Sequence, residues 1–178
     1  MTFAHDTQVS LQTMAALVNT AGEPDELNTP AQLADFLHTW SFSGRHDGDE
    51  AEVAQVRRLR SRLRGYFDLD DEQLVDAVNE LLRDAKALPQ VVRHDDWGWH
   101  LHATDPDQPL VVRIAVEAAM ALVDVLRAQE TERMRTCEAP DCDGVLVDLS
   151  RNRSRRFCGT TCGNRVAAAA YRSRRAGH

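Results

Sequence analysis

The apolar positions of this chain recur every three or four places over roughly its first half, which is the period of a helix packed on one side. In "VSLQTMAALVNT" the pattern is weak, with Leu11, Met14, Ala15 and Val18 on one face. "TPAQLADFLHTW" is stronger. Leu33, Phe36, Leu37 and Trp40 stand at i, i+3, i+4 and i+7, Thr29 suits an N-cap and Pro30 the first helical position. "SGRHDGDE" reads as a loop. A charged helix is predicted from Glu50 to Phe67, with Val53, Val56, Leu59, Leu63 and Phe67 inward. Asp70 and Gln73 offer a capping box to a fourth helix, whose stripe is Leu74, Val75, Val78, Leu81, Leu82 and Ala85 and whose end is set by Pro89.

After Pro89 the period changes to two. "VVRHDDWGWHLHAT" predicts a β-hairpin turning at Asp95-Asp96. Trp97, Trp99 and Leu101 share one face and are expected to pack inward. His100 and His102 share the other and are expected to be wet. His94, His100 and His102 with Asp95 and Asp96 could also compose a second metal site, but alternation alone explains their spacing. "TDPDQP" is a linker. A long helix is then predicted from Leu110 to about Arg135, apolar nearly all round in its first half and therefore central to the core. It would run almost directly into Cys137 and join the body stiffly to the cysteine-bearing end of the chain.

The four cysteines, Cys137, Cys142, Cys158 and Cys162, all lie in one 26-residue window as C-x4-C, fifteen residues, C-x3-C. Two close pairs so separated match a tetrahedral four-cysteine zinc site. Disulfides are disfavoured because nothing marks the chain as secreted, and a thioredoxin-like redox pair would need C-x-x-C beside a βαβ pattern. "CEAPDC" makes a knuckle, "VLVDLS" a short strand and "RNRS" a polar loop. Cys158 and Cys162, at i and i+4, are expected on the first turn of a helix, whose N-terminus favours thiolates. The expected fold is α+β and mainly helical: a helical domain with one hairpin over residues 1–133, with its own separate core, then a small treble-clef-like finger over 134–178 holding one structural Zn²⁺. A zinc with four thiolates has no open position, so no enzyme and no catalytic residue is expected.

Charge divides the chain at nearly the same place. Its 178 residues carry a net charge of −7, yet residues 1–150 hold all 28 acidic residues while residues 151–178 hold eight arginines and no acid. An acidic body with a basic, polyanion-seeking end is implied. The charged Arg113, Glu117 and Asp124 interrupt the most apolar stretch, so no bilayer span is expected, and the N-terminus lacks the pattern of a signal peptide. A cytoplasmic location follows, nucleoid-associated if the chain binds DNA.

"CGNR" at residues 162–165 resembles the signature of the CGNR zinc finger, and the C-x4-C knuckle, "VDLSRN", the double arginine Arg155-Arg156 and the closing "YRSRR" fit the same family. Such fingers usually follow an ABATE domain, described as a stress-induced transcription regulator. Residues 8–128 resemble it through "LVNT" at Leu17 to Thr20 and "LNTPAQLADFL" at Leu27 to Leu37. Phe157 stands where that family more often has tryptophan, and "LQTMAALVNT" departs from its usual "LDFVNT"-like opening. The resemblance implies a zinc-finger regulator of transcription, and the basic finger, whose helix fits the major groove, makes double-stranded DNA the expected partner.

In helical projection Arg165, Val166 and Ala169 fall within about 60° of Cys162, toward the metal. Asn164, Ala168, Arg172 and Arg175 form a neighbouring arc toward solvent and toward phosphate. Arg165 is left between two roles, bridging back to the hairpin or to Asp148, or touching DNA. The expected DNA contacts are Asn164, Arg165, Arg172 and Arg175, with Arg155 and Arg156. The acidic body would sense a small-molecule or protein signal or form a homodimer. The alternative is a protein-interaction module whose zinc only holds the fold. RNA binding is disfavoured by the lack of stacking aromatics beyond Tyr171.

Overall fold

The computed structural model describes residues 3–93 and 98–176. Four helices open the chain: α1 (His5–Asn19), α2 (Pro30–Thr39), α3 (Glu50–Gly65) and α4 (Asp71–Asp84). A hairpin follows, β1 (Gln90–Arg93) antiparallel to β2 (Trp99–His102), then α5 (Leu110–Arg127). A second hairpin pairs β3 (Met134–Thr136) with β4 (Val145–Val147), and α6 (Thr160–Ala176) ends the chain.

Local chemistry sets the helix starts. Thr29 caps α2 and Gln32 returns its side chain to the Thr29 amide, while Asp70 and Gln73 form the same reciprocal box on α4. α3 starts from Asp49, whose carboxylate accepts from the Glu52 amide. α5 is the centre of the body. Leu110, Ile114, Val116, Ala119, Leu122 and Val125 are all buried, and α1, α3 and α4 pack around it. No helix among the described residues is long and apolar enough to cross a membrane.

Four expectations are corrected. α4 stops at Asp84, well before Pro89, because Lys86 takes a left-handed conformation (φ 49°), and Val75 on its stripe is exposed. α5 stops at Arg127, not near Arg135; Gln129 is left-handed (φ 55°) and a single helical turn, Thr131–Arg133, leads into β3. The first hairpin presents the opposite face to the one expected. His100 is buried, while Trp99 (71%), Val91 (66%) and Leu101 (45%) are exposed. The His100 ring settles inside with its Nδ1 3.1 Å from the Gly98 carbonyl and its Nε2 3.1 Å from His102 Nε2. Trp97, the turn at Asp95-Asp96 and His94 lie outside the described residues.

The fourth correction matters most. The finger and the body share one core. Val145 and Val147 of β4 belong to the same buried cluster as Leu11, Met14 and Leu122, and β4 lies against α1. Asn19 at the end of α1 makes the seam: its Nδ2 donates to the Val145 carbonyl (2.8 Å) and its Oδ1 accepts from the Val145 amide (2.7 Å). The side-chain amide thus acts as one more strand residue for β4.

α5 also carries Glu117, which burial holds up at about pKa 7 against the opposing pull of Arg113. Arg113 itself is committed elsewhere, its guanidinium donating to the carbonyls of Ser43, Arg45 and Gln108. Gly44 (φ 83°) lets that loop close over it, since a Cβ there would stand 2.9 Å from Arg113 Nη1. The remaining titratable groups around the same space are Asp6, Asp124, His100 and His102. Because the folded protein holds the Glu117 proton more tightly than the unfolded chain, this residue makes stability fall as pH rises from about 4.5 to about 7. The full shift corresponds to about 3 kcal/mol. Glu117→Gln is expected to match the parent near pH 4.5 and to exceed its stability by that order at pH 8. Denaturant titrations at the two pH values measure the difference, and equal gains at both would show that ionisation is not the cause.

Candidate metal centre and basic helix

The four cysteines are drawn from two segments that fold back on one another. Cys137 follows β3 directly, and its amide donates to the Gly144 carbonyl (2.8 Å), closing the knuckle that carries Cys142. Asp141 makes the turn in a left-handed conformation (φ 59°). Cys158 lies two residues before α6, not on its first turn as expected, and Cys162 is the third residue of the helix. Gly159 stands between, and its carbonyl accepts from the Gly163 amide (3.3 Å).

All four sulfurs lie within 4.8 Å of one another. Three of the separations are 3.6, 3.7 and 3.7 Å, among Cys142, Cys158 and Cys162. A tetrahedron of thiolates at the usual Zn–S bond length has edges of about 3.8 Å, so the sulfurs already mark out that figure. They are far beyond disulfide length, about 2 Å. Gly144 is required at the edge of this cage: a Cβ there would meet Cys158 Sγ at 3.0 Å, Asn19 Oδ1 at 3.2 Å and Cys142 Sγ at 3.3 Å. The cysteines are the ligands of one structural zinc ion.

The thiols differ in readiness to ionise. Burial works against Cys137, yet amide hydrogen bonds from Cys158 and Ala139 to its sulfur bring it down to about 7. Burial and the neighbouring thiols push Cys158 and Cys162 up. A divalent cation reverses that penalty, because it supplies the charge four crowded thiolates need. No other group of three or more metal-ligating side chains is gathered among the described residues. His100 and His102 do not join one there.

The arginines before α6 build the cage. Arg155 donates through Nη2 to the Cys158 carbonyl (2.7 Å) and through Nε to the Phe157 carbonyl (3.2 Å), while its amide donates to Asp148 Oδ2 (2.7 Å). Asp148 is fully buried at the end of β4. Burial opposes its charge, but hydrogen bonds from Ser150 and the Arg155 amide hold its carboxyl below the usual range. Arg156 pairs with Glu138 (2.6 Å) and lies over the Phe157 ring. Arg165 reaches back to the knuckle, its Nη2 donating to the Pro140 carbonyl (3.0 Å) and lying 3.9 Å from Cys162 Sγ, and it does not meet Asp148. Arg133, buried and unnoticed in the sequence, pairs with Glu130 (2.7 Å) and donates to the carbonyls of Asp148 and Ser150. No periodicity marks it, because its partners are carbonyls of a distant loop.

From Asn164 onward α6 leaves this support. Asn164, the alanines 167–170 and Arg172 to Arg175 are exposed and only Val166 is half-buried, so Ala169 does not face the metal side as expected. Arg172, Arg174 and Arg175 have no carboxylate partner among the described residues; Arg175 lies over the ring of Tyr171. Arg174, which the single-arc projection passed over, joins Arg172 and Arg175 in lacking a carboxylate partner among the described residues.

Together these features define a helical body fused to a four-cysteine zinc finger. The sequence matches the CGNR zinc finger over residues 133–175 and the family ABATE, "Putative stress-induced transcription regulator", over residues 12–129. The chain belongs to the ABATE family and ends in a CGNR zinc finger. No curated protein matches it.

Proposed function

We propose that the chain is a regulator of transcription, not an enzyme, that binds double-stranded DNA through α6 and acts at the nucleoid. One observation carries the reading: a basic helix of 17 residues, about 25 Å long, projects from a rigid zinc cage with Arg172, Arg174 and Arg175 unneutralised. A helix fits the major groove, and the alanine run at 167–170 permits close approach. The acidic body disfavours DNA elsewhere on the chain. Arg155, Arg156 and Arg165 act in this reading as supports of the cage, with Asn164, Arg172 and Arg175 left as contacts. The body serves as the sensor. α1 lines a partly open cavity of the body with Thr7 and Thr13 and ends at Asn19 on the finger, so it spans the two. Homodimerisation through the body is compatible with this arrangement.

Anisotropy titrations of labelled duplex DNA against salt test the proposal. Arg172→Ala or Arg175→Ala is expected to weaken binding to all sequences alike and to lower the salt slope by about one unit per lost phosphate contact. Arg165→Ala is expected to lower the melting temperature before DNA is added. Zinc-loaded protein with no DNA affinity at low salt overturns the reading and favours the interaction module, a role that the cage would support equally well.

A further inference from the structure

A cavity of about 310 Å³, open to solvent at Ser41, Ser43 and Leu101, lies between α1, β2 and α5, with Trp40 and Phe42 at its wall. Its polar lining is lopsided. Asp6, Glu117 and Asp124 contribute three carboxylates, against one guanidinium, Arg113, which is turned to three backbone carbonyls, and the paired imidazoles of His100 and His102. Asp124 keeps one carboxylate oxygen on Thr7 Oγ1 (2.6 Å). Glu117 accepts no hydrogen bond from the described residues; it is half-buried, lines the cavity and has Arg113 as its charged neighbour. A carboxylate drawn this far out of water with no hydrogen-bond donor on it is costly, and native proteins seldom keep one without a use.

We propose that this cavity is a binding site for a small organic ammonium ion, with Glu117 as the counter-charge. An ammonium donor placed on Glu117 supplies the hydrogen bonds the fold withholds. Trp40 and Phe42 give its apolar part a wall and its charge an aromatic face. The burial that holds the Glu117 proton is the penalty a cation would relieve. An anionic ligand would meet only Arg113, already turned to carbonyls, and the imidazoles of His100 and His102, which are bonded to each other. The site lends a ligand class to the sensing role proposed above, but binding is measured with no DNA present, so the two readings fail separately.

The test is calorimetric titration of the full, zinc-loaded chain with benzylammonium, and with benzoate and benzyl alcohol as charge controls. Saturable binding of one benzylammonium per chain, stronger than either control, is expected. Glu117→Gln, which keeps shape and removes charge, is expected to weaken it by at least about tenfold. Asp124→Asn is expected to weaken it less, and decides the matter with the charge controls if Glu117→Gln does not fold. Benzoate binding as tightly as benzylammonium, unchanged affinity in folded Glu117→Gln, or no saturable binding to the parent chain up to about 10 mM overturns the proposal.

Discussion

Stripping the zinc is expected to destabilise the helical body as well as the finger. Structural zinc sites of this kind bind with roughly 10–16 kcal/mol of apparent free energy near neutral pH, and that free energy is folding free energy for the segment that supplies the ligands. Here the segment does not end at the cage. Cys137 is tied to β3, whose partner β4 buries Val145 and Val147 in the body core. When the knuckle opens, the apolar burial of those two valines is put at risk, each worth about 1.5–3 kcal/mol when complete. Asn19 would also lose both hydrogen bonds to Val145. The intact protein should contain one zinc per chain by elemental analysis. After chelation, hydrogen exchange should rise in α1 and β4 together with the finger, and the melting temperature of the body should fall. Asn19→Ala should produce part of the same loss with zinc still bound, because it leaves two backbone groups of Val145 without partners, at about 1–3 kcal/mol each if they stay buried. A body whose melting temperature is unchanged by chelation would show that the two parts fold independently. Well under one equivalent of metal in reduced protein would remove the zinc assignment itself.

That shared core was the part hardest to read from the sequence. The metal ligands were legible because zinc dictates residue type and spacing at once, and four cysteines in 26 residues leave little else to propose. The starts of α2 and α4 were legible because a cap is a local bond between residues three apart. The orientation of the first hairpin was not. Alternation separates two faces without saying which one meets the body, and there His100 went inside, bonded to a half-buried His102, while Trp99 stayed out. The end of α5 was misplaced for a related reason. Ala128, Gln129 and Glu130 are all acceptable helix residues, and what stops the helix is a left-handed turn followed by bonds of Arg133 to nearby Glu130 and to the distant Asp148 and Ser150. Asn19 and Thr20 stood in the sequence only as half of "LVNT". Their roles depend on partners 126 and 40 residues away, which no periodicity records.

Thr20 leads to the last expected result. Replacing Asp25 by alanine should cost the protein about 3 kcal/mol, while replacing Arg60 by methionine should cost distinctly less. Arg60 is buried on α3, and its guanidinium is held by Thr20 Oγ1 (3.0 Å) and by both oxygens of Asp25 (2.9 and 2.8 Å). Its Nε already lacks a partner. Removing the carboxylate therefore strands a buried cation with one neutral ligand, whereas removing the cation leaves an Asp25 that is partly open to water and still paired with Arg57 (3.1 Å). The size is set below that of a fully enclosed pair because Asp25 keeps about a quarter of its side chain exposed. The bond to Arg60 holds the Asp25 carboxyl well below the usual range. Its contribution is thus present above pH 4 or so and is lost as pH falls through the folded pKa, which makes it part of the acid limit of the fold. The double variant Asp25→Ala, Arg60→Met should recover much of the single Asp25 loss, since no unpaired charge then remains buried. Equilibrium unfolding of the three variants gives the cycle directly, and additive losses would show that the two residues do not act as a pair. Because Thr20 follows Asn19 at the end of α1, loosening this brace should also weaken the seat of β4, and the Asp25 variant should release zinc to a chelator faster than its parent does.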